Sequence, residues 1–221
     1  MKYVFVGDIH GKVEQVQRAL HMDGHKVFVG DFMDSFDRSP EDHREALVLA
    51  LDAAEAGEAT LLYGNHELSY MEPNPHRCSG YKLAMEATIL DNFKRIKDNF
   101  KPLFKPAEDW LVTHAGLHPD VNDMLQKPLM EMSEEDIQKE FYNRASPLHW
   151  IGHSRGGFNP VGGIFWCDFD REFIPVSGLN QIFGHTRQRQ GMQKLVSKQD
   201  NAVNYCIDCL DFHHKFLELD L

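Results

Sequence analysis

Short apolar runs and longer amphipathic stretches alternate through the first third of the chain. The segments "KYVFV" (2–6), "KVFV" (26–29) and "ATLLY" (59–63) are continuous apolar runs of strand length, whereas 12–22 and 41–56 repeat their apolar residues at helical spacing. The first pattern predicts strands buried on both faces, and the second predicts helices with one face laid on them. Alternation of this kind implies right-handed crossovers and a largely parallel sheet. Residues 68–108 depart from the pattern: a loop rich in Pro, His and Cys (72–80) precedes a helical stretch over 81–99, and together they read as an insertion or cap. A further strand falls at 109–116, "DWLVTHAG", and 117–160 is helix and loop, with an acidic helix near 133–142 and a glycine-rich loop at 152–163. The last third, "GIFWCDF", "LNQIFGHT", "QKLV", "AVNYCIDC" and "HKFLEL", reads as short strands parted by turns and predicts a second sheet.

Composition narrows this to a globular α/β protein. With 221 residues, 42% hydrophobic and 26% charged, one domain spanning 1–221 is expected, with the insertion at 68–108 as its excursion. A formal net charge of -11 repels nucleic acid backbones and anionic membranes at long range, which disfavours both as partners. The start, "MKYVFVGD", lacks a signal-peptide apolar region, and no apolar run reaches membrane-spanning length, so a cytoplasmic location is expected. In that compartment Cys78, Cys167, Cys206 and Cys209 are expected to be reduced. Cys206 and Cys209 lie in a strand-like alternation with no second pair at zinc-finger spacing, which makes them structural residues.

The candidate chemistry lies where the apolar runs stop. They end in Gly7-Asp8-Ile9-His10, Gly30-Asp31 and Gly64-Asn65-His66-Glu67, and the later runs lead into His114 and His185. In open α/β sheets ligands bind at the carboxyl ends of strands. Singly, each residue has an ordinary role as a cap, turn former or core histidine. Together they suit two divalent metals about 4 Å apart sharing one carboxylate. Asp8, His10 and Asp31 could hold one ion, and Asp31, Asn65, His114 and His185 the other. Two carboxylates against two dications leave the site positive by about two charges, which favours a dianionic phosphoryl group and an acidified bridging water. A bridging hydroxide could then attack phosphorus in line. His66 has no place among the ligands and is free to protonate the leaving alkoxide. A carboxylate that fixes its tautomer would come from Asp34 or Asp37, and Arg38 could make a bidentate phosphate contact.

These residues resemble the calcineurin-like metallophosphoesterase superfamily and, within it, the phosphoprotein phosphatases of serine and threonine, of the short bacterial or phage type. The motifs that carry the resemblance are "GDIHG" (7–11), "GDFMDSFDRS" (30–39), "GNHE" (64–67), "THAG" (113–116) and "FGHT" (183–186), in that order. The tail is also similar, through "GGIFWCDF" (162–169) and the closing strands of 203–221, whereas 70–108 and 117–160 resemble the family little. The resemblance implies a four-layer α/β/β/α sandwich of two mixed sheets flanked by helices, with a small helical insertion. It also implies Asp8, His10, Asp31, Asn65, His114 and His185 as metal ligands and His66 as general acid. Two divalent ions are implied, with manganese first and iron or zinc as the other choices.

One departure bears on the site. Where the family has Asp followed directly by Arg, Ser35-Phe36-Asp37 intervene between Asp34 and Arg38. Asp34 is taken as the partner of His66 because its distance from Asp31 matches the family, with Asp37 the alternative. Arg38 is the phosphate contact in either version. For the second phosphate-binding arginine, Arg155 in its glycine-rich loop is taken and Arg171 is the alternative. The reading that results is a metal-dependent phosphomonoesterase acting on phosphorylated protein or small phosphate esters. The alternatives are a symmetrical dinucleoside tetraphosphate hydrolase, against which Asp34 and Asp37 argue, and a phosphodiesterase or nuclease, whose closing Gly-His-x-His is here "GHTR" (184–187). A non-catalytic binding module would have lost a ligand, and none is missing.

Overall fold

The computed structural model describes residues 1–71 and 77–221, which fall into two compact units, Met1–Lys101 with Cys209–Leu221 and Pro102–Asp208. The first begins with β1 (Lys2–Val6), α1 (Val13–Leu20), β2 (His25–Phe28), α2 (Pro40–Glu55) and β3 (Ala59–Leu62). The apolar runs become strands because their side chains are sequestered on both faces: Val4, Phe5, Val6, Val27, Phe28, Leu61 and Leu62 have no exposed surface. α2 starts where it does because Ser39 and Asp42 cap each other's backbone N–H and Pro40 opens the first turn.

A short helix, α3 (Asn65–Tyr70), follows β3, and the helical stretch expected over 81–99 forms two helices, α4 (Leu83–Asp91) and α5 (Phe93–Asn99), followed by β4 (Phe100–Lys101). Residues 72–76 of the expected Pro/His/Cys loop lie outside the described residues. α4 and α5 break apart at Asn92, whose amide nitrogen bonds to the Thr88 carbonyl at 2.9 Å and competes with the helical ladder. Both pack against α2, and β4 pairs parallel with β3, so 83–101 forms a crossover of the first sheet.

The second unit contains β5 (Phe104–Ala107), β6 (Trp110–Val112), α6 (Pro119–Met124), α7 (Glu134–Tyr142), β7 (Asn180–Phe183), β8 (Gln193–Val196) and β9 (Val203–Cys206). The chain then rejoins the first unit through β10 (Leu217–Asp220). Each unit is built on a mixed five-stranded sheet, in the orders β10-β1-β2-β3-β4 and β5-β6-β7-β9-β8. In the first, β1 to β4 run parallel and β10 is antiparallel to β1, with Phe5 opposite Leu217.

Two expectations about the last third are corrected. "HKFLEL" is a strand, but it edges the first sheet and not the second. "GIFWCDF" is not a strand: the N–H groups of Trp166 and Cys167 both bond to the Gly163 carbonyl, at 2.9 and 3.0 Å, and wind the segment into a turn. Ile164, Phe165 and Cys167 are nevertheless fully buried, and Trp166 and Phe169 partly so, so an apolar run of this length signals burial before it signals strand. All four cysteines are buried thiols outside any disulfide, and no helix among the described residues is long and apolar enough to cross a membrane.

Candidate metal centre and active site

In the first unit the ends of β1, β2 and β3 lie side by side because the strands are parallel neighbours. The loops after β1 and β2 are fastened together, since the N–H groups of Ile9 and His10 both bond to the Asp31 carbonyl, at 3.0 and 2.7 Å. β2 and β3 meet through two glycines. A Cβ on Gly30 (φ 109°) would lie 2.5 Å from the Gly64 nitrogen, and one on Gly64 would collide with the Asp31 carboxylate. Only glycine at 64 lets Asp31 occupy this place.

Five non-glycine residues among those described have positive φ, and four of them are residues expected at the site: His10 (43°), Asp31 (52°), Asp34 (62°) and His185 (66°). Left-handed backbone at Asp or His costs free energy and persists where the surroundings enforce it. At Asp31 the enforcement comes from Glu67. Its buried carboxylate accepts from Asp31 N (2.9 Å) and Gly64 N (3.0 Å) on Oε2, and from Phe32 N (2.8 Å) and Met33 N (3.1 Å) on Oε1. Burial and the neighbouring Asp31 push Glu67 up to about 7, against the pull of these N–H groups. A cation on Asp31 would cancel that repulsion. Within the "GNHE" motif nothing local to Glu67 signals this role, because its donors come from the loop after β2 and from Gly64.

Asp8 and Asp31 are each only 2% exposed. His10 Nδ1 lies 2.8 Å from the Met33 carbonyl, which can only accept, so Nδ1 carries the proton and Nε2 the lone pair. Burial, the adjacent His66 and Lys12 hold His10 down at about 4, so the ring is neutral at pH 7. Its Nε2 stands 3.8 Å from Asp31 Oδ2, leaving a lone pair and a carboxylate oxygen facing each other with no proton between them. That arrangement fits a divalent cation with nitrogen and oxygen ligands. Ligand atoms of His10, Asp31 and His66 all lie within 4.8 Å of one another. Asn65 is buried, and its amide nitrogen bonds to Cys78 Sγ at 3.1 Å, which makes Oδ1 the atom that can ligate.

His66 is tied differently. Its Nδ1 donates to Asp34 Oδ2 at 2.8 Å, and its Nε2 lies 3.8 Å from Asp31 Oδ2. Burial works against the imidazolium, but Asp31 and Asp34 outweigh it and raise His66 to about 9. The ring therefore holds a proton at neutral pH. Between the two alternatives for its partner, the structure puts Asp34 on His66 and turns Asp37 outward, where it accepts from Ser35 Oγ at 2.8 Å. Arg38 is placed otherwise than expected. Its guanidinium forks onto Glu14 of α1, with bonds of 2.7 and 3.2 Å, so a phosphate would have to displace a bidentate carboxylate.

In the second unit, β6 leads to His114 and β7 to His185. The Gly184 N–H bonds to the His114 carbonyl at 2.7 Å, and His114 Nε2 lies 3.1 Å from His185 Nδ1. Arg155 sits beside this pair: its Nε is 3.0 Å from Asp168 Oδ2, and one terminal nitrogen donates to Thr186 Oγ1 at 3.0 Å. Arg171 is exposed. Of the two candidate arginines, the structure brings Arg155 next to the late Gly-His motif.

The model of the calcineurin-like phosphoesterase family matches residues 1–189, and the chain belongs to that family. It is a metallophosphoesterase, a metal-dependent hydrolase of phosphoric esters, of a family that works with two metals. Its fold is similar to that of a protein serine/threonine phosphatase from Saccharomyces cerevisiae with similarity to human phosphatase PP5, at TM-score 0.51 and 18% identity, over 93% of this chain and 67% of that one. A metallophosphoesterase from Sphaerobacter thermophilus matches at TM-score 0.35 and 13% identity, over 52% of this chain and 47% of that one. No curated protein matches the sequence significantly.

Proposed function

We propose that this metallophosphoesterase is a phosphomonoesterase that releases phosphate from phosphoserine and phosphothreonine in proteins and from small phosphate esters. Asp8, His10, Asp31, Asn65, His114 and His185 are the proposed ligands of two divalent ions, with manganese as the proposed pair and iron or zinc as the alternatives. When bound, the ions supply positive charge for the phosphoryl oxygens and lower the pKa of a water that serves as nucleophile. Everything else is asked of the chain's own side chains.

The observation that carries the reading is the His66–Asp34 pair. Asp34 occupies Nδ1, so the proton that His66 can give away sits on Nε2, the nitrogen beside Asp31. An alkoxide leaving from serine or threonine is a strong base and cannot depart readily without that proton, whereas an activated aryl oxide can. A protonated His66 therefore favours esters of ordinary alcohols. Arg155, steadied by Asp168 and Thr186, is the proposed phosphate contact, and Arg38 would serve only after leaving Glu14.

Substitution His66→Asn tests the role. With a phosphothreonine peptide, kcat is expected to fall roughly 100-fold or more, and with p-nitrophenyl phosphate by about tenfold or less. Equal losses on the two substrates would overturn the general-acid assignment.

A further inference from the structure

The carboxylate that holds His66 is itself held from the other side. Asp34 Oδ1 accepts a hydrogen bond from the hydroxyl of Tyr70, while Oδ2 accepts from His66. His66 and Tyr70 stand four residues apart on α3, on the same helical face, so one helix grips both oxygens of one carboxylate. The Asp34 side chain is fully enclosed, and removing either donor would leave a buried oxygen without its partner.

Tyr70 is fixed in turn by the segment that follows it. The Lys82 N–H donates to the Tyr70 oxygen at 3.0 Å, and of the two acceptors that face the single hydroxyl proton the Asp34 carboxylate is nearer than the Lys82 carbonyl, which lies at 3.3 Å. The ring stacks on Tyr81, with centroids 4.7 Å apart and planes at 21°. Tyr81 is held by its hydroxyl bond to Glu86 and by the Arg77 guanidinium 3.8 Å over its ring. Gly80, at φ 85°, passes close enough that a Cβ there would lie 3.4 Å from Asp34 Cβ. Burial and the nearby Asp34 push the Tyr70 phenol well above its usual range, so it stays a neutral donor.

We propose that Tyr70 is a positioning residue for phosphoester cleavage: by holding Asp34 Oδ1 it keeps Oδ2 on the Nδ1–H of His66 and thereby orients the proton on Nε2 toward the leaving group. The inference rests on the reading of His66 as general acid. It assigns a function to part of the 68–108 stretch, since the segment around 77–86 anchors the tyrosine that steadies the acid.

The test compares Tyr70→Phe with the wild-type full chain, both loaded with manganese. Phenylalanine keeps the stack on Tyr81 and removes only the donor. With the phosphothreonine peptide, kcat is expected to fall about tenfold with KM unchanged, while kcat on p-nitrophenyl phosphate stays within about twofold. In a His66→Asn background the same change is expected to add no further loss, because the group it orients is gone. Equal losses on both esters, a loss residing in KM, or a full additive loss in the His66→Asn background would overturn the proposal. A readout without turnover is the downfield NMR resonance of the His66 Nδ1 proton. It is expected to move in Tyr70→Phe or, should that variant not fold, in protein carrying 3-fluorotyrosine, and a resonance that stays put overturns the proposal. If His66→Asn itself loses both substrates equally, the general-acid reading fails and this inference with it. If His66→Asn discriminates between the substrates and Tyr70→Phe does not, the inference alone fails.

Discussion

Asp31→Asn is expected to lower kcat by roughly 1,000-fold or more and to reduce the metal bound per chain, read by steady-state assay and by elemental analysis of the same preparation. Both carboxylate oxygens are committed: Oδ1 accepts the His66 backbone N–H at 3.0 Å, and Oδ2 faces His10 Nε2 and His66 Nε2, each at 3.8 Å. An amide offers one oxygen only. Either the N–H at the start of α3 loses its acceptor, or an NH2 group is turned on the place where a cation would sit. The substitution also removes a negative charge that raises His66, so the proton on Nε2 is held less firmly. A variant with normal turnover and full metal content would rule out Asp31 as a shared ligand.

Glu67→Gln is expected to cost about 3 kcal/mol of folding stability or more, because two of the four N–H groups on the carboxylate would face an NH2 in place of an oxygen. Against a total of roughly 5–15 kcal/mol for a domain, that loss is severe. Urea unfolding should show a lower midpoint, and activity should fall with it, since the same N–H groups set the backbone of Asp31 and Met33. An unchanged midpoint would mean that the loops hold their left-handed conformations without Glu67.

Glu67 also marks the limit of what the residues revealed before the fold was known. The apolar runs placed β1, β2 and β3, and the Gly-Asp, Gly-Asn and Gly-His pairs at their ends placed the candidate ligands, because each signal is local in sequence. What Glu67 does is not local: three of its four donors lie 34 to 36 residues earlier. Tyr70 was missed for a related reason. Its spacing from His66 was visible, but nothing in the spacing says that both side chains reach one carboxylate. Counting from Asp31 favours Asp34 over Asp37, and the backbone at Asp34 turns left-handed and sends the side chain to His66. Arg38 illustrates competition: a guanidinium suited to phosphate is equally suited to Glu14, and only the fold shows that α1 brings Glu14 within reach. The turn at "GIFWCDF" and the recruitment of β10 to the first sheet share one cause, since short apolar patterns report burial and alternation but not the partner.

The most direct test is hydrolysis by chelator-stripped protein, with and without added manganese, of p-nitrophenyl phosphate, a phosphothreonine peptide and diadenosine tetraphosphate. The expected result is negligible turnover without metal and, with manganese restored, turnover of both monoesters in preference to the dinucleotide. Activity that survives removal of metal, or no turnover of either monoester with manganese bound, would contradict a metal-dependent phosphomonoesterase.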